Sequence, residues 1–234
     1  MKTTLEVCVD TPEDLNRAIS ARVDRIELCS ALDLGGLTPT PGLIELAKDS
    51  PVPIFAMIRP RAGGFVYSEI ELQTMEIEIA TIREAGLAGV VFGALNPEAG
   101  LDDAALKRLI GKSVGLGMTF HRAIDETRSP SKEVQKVKSF GFERILTSGG
   151  ADKAINGISE LKQMILNADG QIEIMAGSGL NADCAAPLFE AGIRSFHGSF
   201  STRKPGDDQR SVAIERIEAF KDSLERVLNS ANRT

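Results

Sequence analysis

LEVCVDTPEDLNRAI, residues 5–19, contains the unit from which the whole chain is built. Leu5 to Val9 is a short apolar run rich in β-branched residues. Thr11-Pro12-Glu13-Asp14 follows, a threonine N-cap with proline at the first helical position. A strand therefore passes straight into a helix, and the alternation recurs. Further apolar runs at 25–29 (RIELC), 54–59 (IFAMIR), 89–93 (GVVFG), 118–122 (MTFHR), 144–148 (RILTS), 172–176 (IEIMA) and 195–199 (SFHGS) bring the count to eight. One intervening helix opens with the capping box Ser68-Glu69-Ile70-Glu71 and stops at Gly86; Gly141 and Gly192 punctuate two more, and REAG (83–86) is echoed by FEAG (189–192). Strands apolar on both faces, each followed by a helix, predict a parallel sheet with covered faces. Eight such units over 1–234 close most simply into one single-domain (β/α)8 TIM barrel. An open flavodoxin-like or Rossmann sheet is the alternative. The segment from about Asp208 to Leu228 sets Val212, Ile217, Phe220, Leu224 and Leu228 on one stripe, which predicts an outer helix closing the barrel.

Composition agrees with a folded, soluble chain: of 234 residues, 42% are hydrophobic and 26% charged. The net charge of −6 disfavours nucleic acid and anionic membrane as partners. No run of apolar residues is long enough for a membrane span, and MKTTLEVCVD lacks the apolar stretch of a signal peptide, so a cytoplasmic location is expected. Three cysteines, Cys8, Cys29 and Cys184, are too few for a disulfide scaffold and are expected as thiols. Cys184, in a helix opened by Asn181, reads as packing.

Function in such a barrel gathers where the strands end, and side chains alternate between lumen and helix layer. Glu6 and Cys8 share one face of the first strand, opposite Leu5, Val7 and Val9; Arg25, Glu27 and Cys29 share one face of the second. Arg59 and Arg61, Thr119 and His121, and His197 and Ser199 extend the set from later strands, all toward one mouth. Buried Glu6 and Glu27 require partners, Arg25 or Arg59, in an arrangement that serves either a structural ion network or catalysis. His121, with Glu6, Glu27 and the following Asp125 as expected partners, is the candidate general acid/base, whereas Arg122 has the opposite parity and is expected to pair outside the lumen. His197 fits either a hydrogen-bonded structural role or a functional one. Cys8 and Cys29, on adjacent strands with matching parity, would lie roughly 4.8 Å apart if in register, a spacing for near-linear Cu(I); buried packing is the other reading. Arg59-Pro60-Arg61 is a candidate anion clamp beside the pliable Ala62-Gly63-Gly64. Gly177-Ser178-Gly179, His197-Gly198-Ser199 and Ser148-Gly149 occupy strand ends where barrels bind phosphate.

Together, LEVCV, VDRIELCSALDLGGLTPTPG, IRPRAGGFVYS, TFHRAID, RILTSGG and IMAGSG, in this order over roughly residues 5 to 200, resemble the successive blocks of the CutC family. The resemblance implies a TIM barrel, a cytoplasmic location, homodimers or larger homo-oligomers, and copper handling through Cu(I), with Cys8 and Cys29 as ligands. The family's polar residues at the mouth correspond to Glu6, Glu27, Arg59, Arg61, His121, Arg122 and Asp125. Gly64 departs from the pattern, standing where the family has an acid before the phenylalanine, and HGSFS at the eighth strand is divergent. Two functions follow as expectations: a copper homeostasis protein, or an enzyme (lyase, isomerase or hydrolase) acting on a small anionic or phosphorylated substrate. A nuclease holding a divalent ion on Asp125 and the glutamates is disfavoured by the acidic charge.

Overall fold

The computed structural model describes residues 3–203 and 210–231. Eight strands, β1 (Thr4–Val9), β2 (Arg25–Leu28), β3 (Ile54–Met57), β4 (Gly89–Phe92), β5 (Gly117–Phe120), β6 (Arg144–Thr147), β7 (Glu173–Gly177) and β8 (Ser195–Gly198), pair in chain order and close β8 on β1. Every neighbour in the ring is parallel, so the architecture is a (β/α)8 barrel and not an open sheet. The outer ring is α1 (Pro12–Ser20), α2 (Pro41–Ala47), α3 (Glu69–Glu84), α4 (Asp103–Lys112), α5 (Pro130–Ser139), α6 (Ile158–Ala168), α7 (Ala182–Glu190) and α8 (Ile214–Ala231).

Local chemistry sets these boundaries. Thr11 Oγ1 accepts the Asp14 N–H at 3.1 Å and Pro12 occupies the first turn of α1. Ser68 and Glu71 form a reciprocal capping box at α3. Val7, Val9, Ile26, Leu28, Val90, Phe92, Phe120 and Ile145 are buried between strands and helices, while the alternate positions fill the lumen. In its lower layer Phe55 sits between the guanidinium groups of Arg25 and Arg144, 5.5 and 4.6 Å from the ring centroid. Gly89 makes room for that ring: a Cβ there would stand 2.2 Å from Phe55 Cε1. Among the described residues no helix is long and apolar enough to cross a membrane.

The C-terminal segment departs from the expected single helix. Val212 belongs to β10 (Arg210–Val212), which pairs antiparallel with β9 (Ser201–Arg203), and α8 begins only at Ile214. There Val212 is paired with Ser201 across the ribbon, and its N–H donates to Asp14 Oδ1 at 2.9 Å, which ties the ribbon to α1. Asp208 lies outside the described residues. Ile217, Phe220 and Leu224 are buried on α8 as the stripe predicts, and Phe220 packs on Phe196 and Phe200.

Candidate functional site

β1 organises the lumen floor because it faces β8 and β2 at once. Register sets Glu6 opposite His197 on β8 and Cys8 opposite Glu27 on β2. His197 Nδ1–H donates to Glu6 Oε1 at 2.7 Å, and the other oxygen of Glu6 forms an ion pair with Arg25, which also reaches Glu173 at 3.4 Å. His197 Nε2 lies 3.7 Å from Glu27 Oε2, and the Cys29 thiol donates to that same oxygen at 3.5 Å. One ligand atom each from Cys8, Glu27 and His197 falls within 4.8 Å of the other two.

The electrostatics follow from burial and contact. Burial opposes the charge on Glu6, but the His197 hydrogen bond and Arg25 outweigh it and hold the carboxyl at about 2. Burial likewise opposes the His197 imidazolium, yet Cys8, Glu27 and Glu6 around it raise its pKa well above the ordinary value. Burial pushes both the Cys8 thiol and the Glu27 carboxyl up. A cavity of about 550 Å³ opens above this floor, lined among others by Cys8, Asp10, Glu27, Arg59, Phe65, His121 and Leu146.

His121 does not meet the partners expected of it. It follows β5 as the cap of a 3-10 turn, where its Nδ1 accepts the Ala123 N–H at 3.2 Å and its ring lies 4.6 Å from that of Phe65. Burial, and then the charge of Arg59, lower its pKa to about 3. Asp125 is spent elsewhere: it accepts from the N–H groups of Ser148 and Gly150, from Thr147 Oγ1 at 2.5 Å and from Arg122 at 2.9 Å. That carboxylate fills the loop after β6 from within, and Gly149 N–H donates to Thr147 Oγ1, so Ser148 and Gly149 offer no open anion cradle. Arg122, expected to pair with a helix carboxylate, instead holds Asp125 and Ser148 Oγ and lines the cavity.

The arginine clamp is also not assembled. Arg61 forms an ion pair with Glu71 and donates to the carbonyls of Ala62, Gly64 and Val66, away from the cavity lining. Arg59 does line the cavity, but its terminal nitrogens hold the carbonyls of Leu34, Gly36 and Gly63. Cys8 and Cys29 are not cross-strand neighbours; Cys29 lies beyond the Val9–Leu28 pair, in an apolar cluster with Phe55, Met57 and Val91. Of the glycine turns, Ser178, Gly179, Gly198 and Ser199 reach the lining, whereas Gly177 clears space below: a Cβ there would lie 2.5 Å from Leu146 and 3.3 Å from His197. Sequence reasoning missed Phe65, Leu146 and the ribbon residues Ser201 and Arg210. Phe65 carried a usable signal, an aromatic directly after the arginine-glycine stretch; the ribbon carried none.

Fold and floor define a TIM-barrel protein with a buried sulfur, nitrogen and oxygen donor cluster under its mouth. The family model described as the CutC family matches residues 3–202, and the chain belongs to that family. A CutC protein of Sinorhizobium medicae is 47% identical over 211 residues, covering 90% of this chain and 86% of the relative. The CutC of Streptococcus agalactiae, whose crystal structure is described as that of a copper homeostasis protein, superposes with a TM-score of 0.80 at 32% identity, over 84% of this chain and 98% of that one. Thiamine phosphate pyrophosphorylase from Pyrococcus furiosus shares the fold alone, with a TM-score of 0.62 at 16% identity.

Proposed function

We propose that this member of the copper homeostasis family binds copper as Cu(I) at the lumen floor, with Cys8 Sγ and His197 Nε2 as its principal ligands and Glu27 beside them. The observation that carries the reading is the proximity of the three donors within 4.8 Å. Its chemistry fits: thiolate and imidazole are the soft and borderline donors that copper takes. Glu6 strengthens the case, because a carboxylate on Nδ1 fixes the ring, leaves Nε2 for a metal and raises its basicity. Copper must displace the protons of Cys8 and His197, so affinity rises with pH. Cys29, hydrogen-bonded to Glu27, holds that carboxylate in place and stands as the second sulfur of the neighbourhood. The three cysteines are free thiols, the state a reducing cytoplasm maintains, and the cytoplasm is where we place the protein's action. Self-association, implied by the family resemblance, would use the outer face of α3, where Ile70 and Ile77 are exposed; sedimentation of an Ile70→Glu/Ile77→Glu variant tests it, and an unchanged oligomer excludes that face.

Anaerobic titration against a chromogenic Cu(I) chelator tests the copper reading. Cys8→Ser and His197→Gln should each weaken binding by about 100-fold or more, and Cys29→Ser by less. Folded variants that hold Cu(I) as tightly as the parent would remove these ligands from consideration. A parent that takes Zn(II) but no Cu(I) would overturn the copper assignment itself.

A further inference from the structure

Three residues that line the cavity, Glu27 at its floor and Arg59 and His121 above, carry buried polar atoms that the protein leaves without partners, and their hydrogen-bonding characters are complementary. His121 Nδ1 accepts the Ala123 N–H, which leaves the ring proton on Nε2, and that Nε2 meets no acceptor. Glu27 Oε2 is engaged by Cys29 and faces His197, whereas Oε1 meets no donor. Arg59 spends its terminal nitrogens on loop carbonyls, its Nε has no acceptor, and no carboxylate pairs with it among the described residues. All three residues line the one cavity of about 550 Å³, within the size range of small-molecule sites. Buried polar groups without partners are rare in folded proteins, and a buried guanidinium without a counter-ion is costlier still. Arg144 Nε, Ser195 Oγ and Tyr67 Oη are unpartnered as well, but those residues do not line the cavity; that the three which do line it are left unpartnered marks the cavity as a place completed by something other than the chain. Phe65 adds an apolar surface beside both cationic and imidazole groups, its ring centroid 4.9 Å from Arg59 Cζ and 4.6 Å from the His121 ring.

We propose that this cavity binds a small organic anion bearing a hydroxyl beside its carboxylate or carbonyl group, the class of the hydroxy acids. Its anionic oxygen accepts from His121 Nε2–H and Arg59 Nε–H, and its hydroxyl donates to Glu27 Oε1. Arg59 supplies the charge that selects an anion, and Phe65 covers the carbon skeleton. His121 serves as a neutral donor, since burial and Arg59 keep its pKa near about 3 and the ring uncharged at physiological pH. The site shares Glu27 with the floor but uses the oxygen that His197 and Cys29 leave free, and a test on metal-free protein separates it from the copper reading.

The test is calorimetry on metal-free protein with three matched pairs: lactate against propionate, malate against succinate, and 3-phosphoglycerate against 3-(phosphonooxy)propionate. At least one hydroxy acid should bind with a Kd of about 1 mM or lower, and its partner lacking the hydroxyl about tenfold more weakly. His121→Phe should weaken the hydroxy acid about tenfold, and Glu27→Met, which has no oxygen to accept from the hydroxyl, should erase the difference within the pair. Should either variant fail to fold, the nitrogen-15 resonance of His121 Nε2 in the parent serves in its place, and it should move on saturation. Failure of every hydroxy acid to bind below about 10 mM, equal binding within each pair, or an unmoved His121 resonance would each overturn the proposal. A failed Cu(I) titration would leave it intact.

Discussion

The two histidines of the chain stand in one lumen and live in opposite electrical settings. His197, on the floor, lies between Glu6 and Glu27 and is driven toward the imidazolium; His121, on the wall, lies among Phe65, Phe120 and Arg59 and is driven toward the neutral ring. Both are nearly inaccessible to solvent, so burial does not separate them. Their neighbours do. Carboxylates at contact distance more than offset desolvation at one position, while a guanidinium adds to desolvation at the other. At His197 ions thus compensate one another, whereas His121 is left with an unpartnered Nε2 beside an uncompensated guanidinium.

The largest expected effect tests the compensation. Glu6→Ala removes the carboxylate shared by Arg25 and His197, leaving two buried cationic groups without their main partner, and should cost about 3–5 kcal/mol in urea unfolding. On the wall, His121→Phe deletes one acceptor for the Ala123 N–H and should cost only about 1–3 kcal/mol. Equal losses would mean that the floor is no more interdependent than the wall. A gentler change at the same carboxylate, Glu6→Gln, keeps a hydrogen-bond acceptor for His197 but not the charge, and should lower Cu(I) affinity by about 10–100-fold; unchanged affinity would break the link between Glu6 and the metal site.

Acid and base should separate the two rings by sign. His121 titrates near about 3 when folded and 6.5 when free, so between those values the unfolded chain binds the extra proton. Stability present above pH 6.5 is therefore lost on acidification, by up to about 1.4 kcal/mol per pH unit. His197 is raised, so its contribution is full below 6.5 and is lost as pH climbs through its folded value. In metal-free protein, His121→Phe should flatten the stability curve between pH 6.5 and about 5, and His197→Gln should flatten its alkaline limb. Glu6, lowered from 4.5 to about 2, adds its own loss only below 4.5. Identical pH profiles for the two variants would contradict the contrast.

How much of this was legible beforehand depends on the kind of contact. The barrel was, because eight apolar runs, with helix caps and terminal glycines between several of them, are local signals. Strand parity also brought Glu6, Cys8, Glu27 and His197 toward the lumen. Parity does not carry register, however: it cannot say that Cys8 faces Glu27 and not Cys29, because a shift of two residues leaves every face unchanged. Nor does it follow a side chain past the end of its strand. His121 and Asp125 lie in such a turn, and there the backbone N–H groups of Ala123, Ser148 and Gly150 decided their partners.

Phe65→Leu sharpens the contrast with the smallest expected effect. The ring touches both His121 and Arg59 without hydrogen-bonding to either, so its removal takes away aromatic and cation–π contact but leaves every polar partner in place. The stability loss should be about 1 kcal/mol in urea unfolding. A smaller, aliphatic side chain also lets water reach His121 Nε2, which relieves desolvation, the main cause of its low pKa. The ring's titration, followed by nitrogen-15 shifts, should therefore move up from about 3 toward 6.5, while that of His197 stays where it is. An unmoved His121 would mean that Arg59, and not the apolar wall, keeps this histidine neutral.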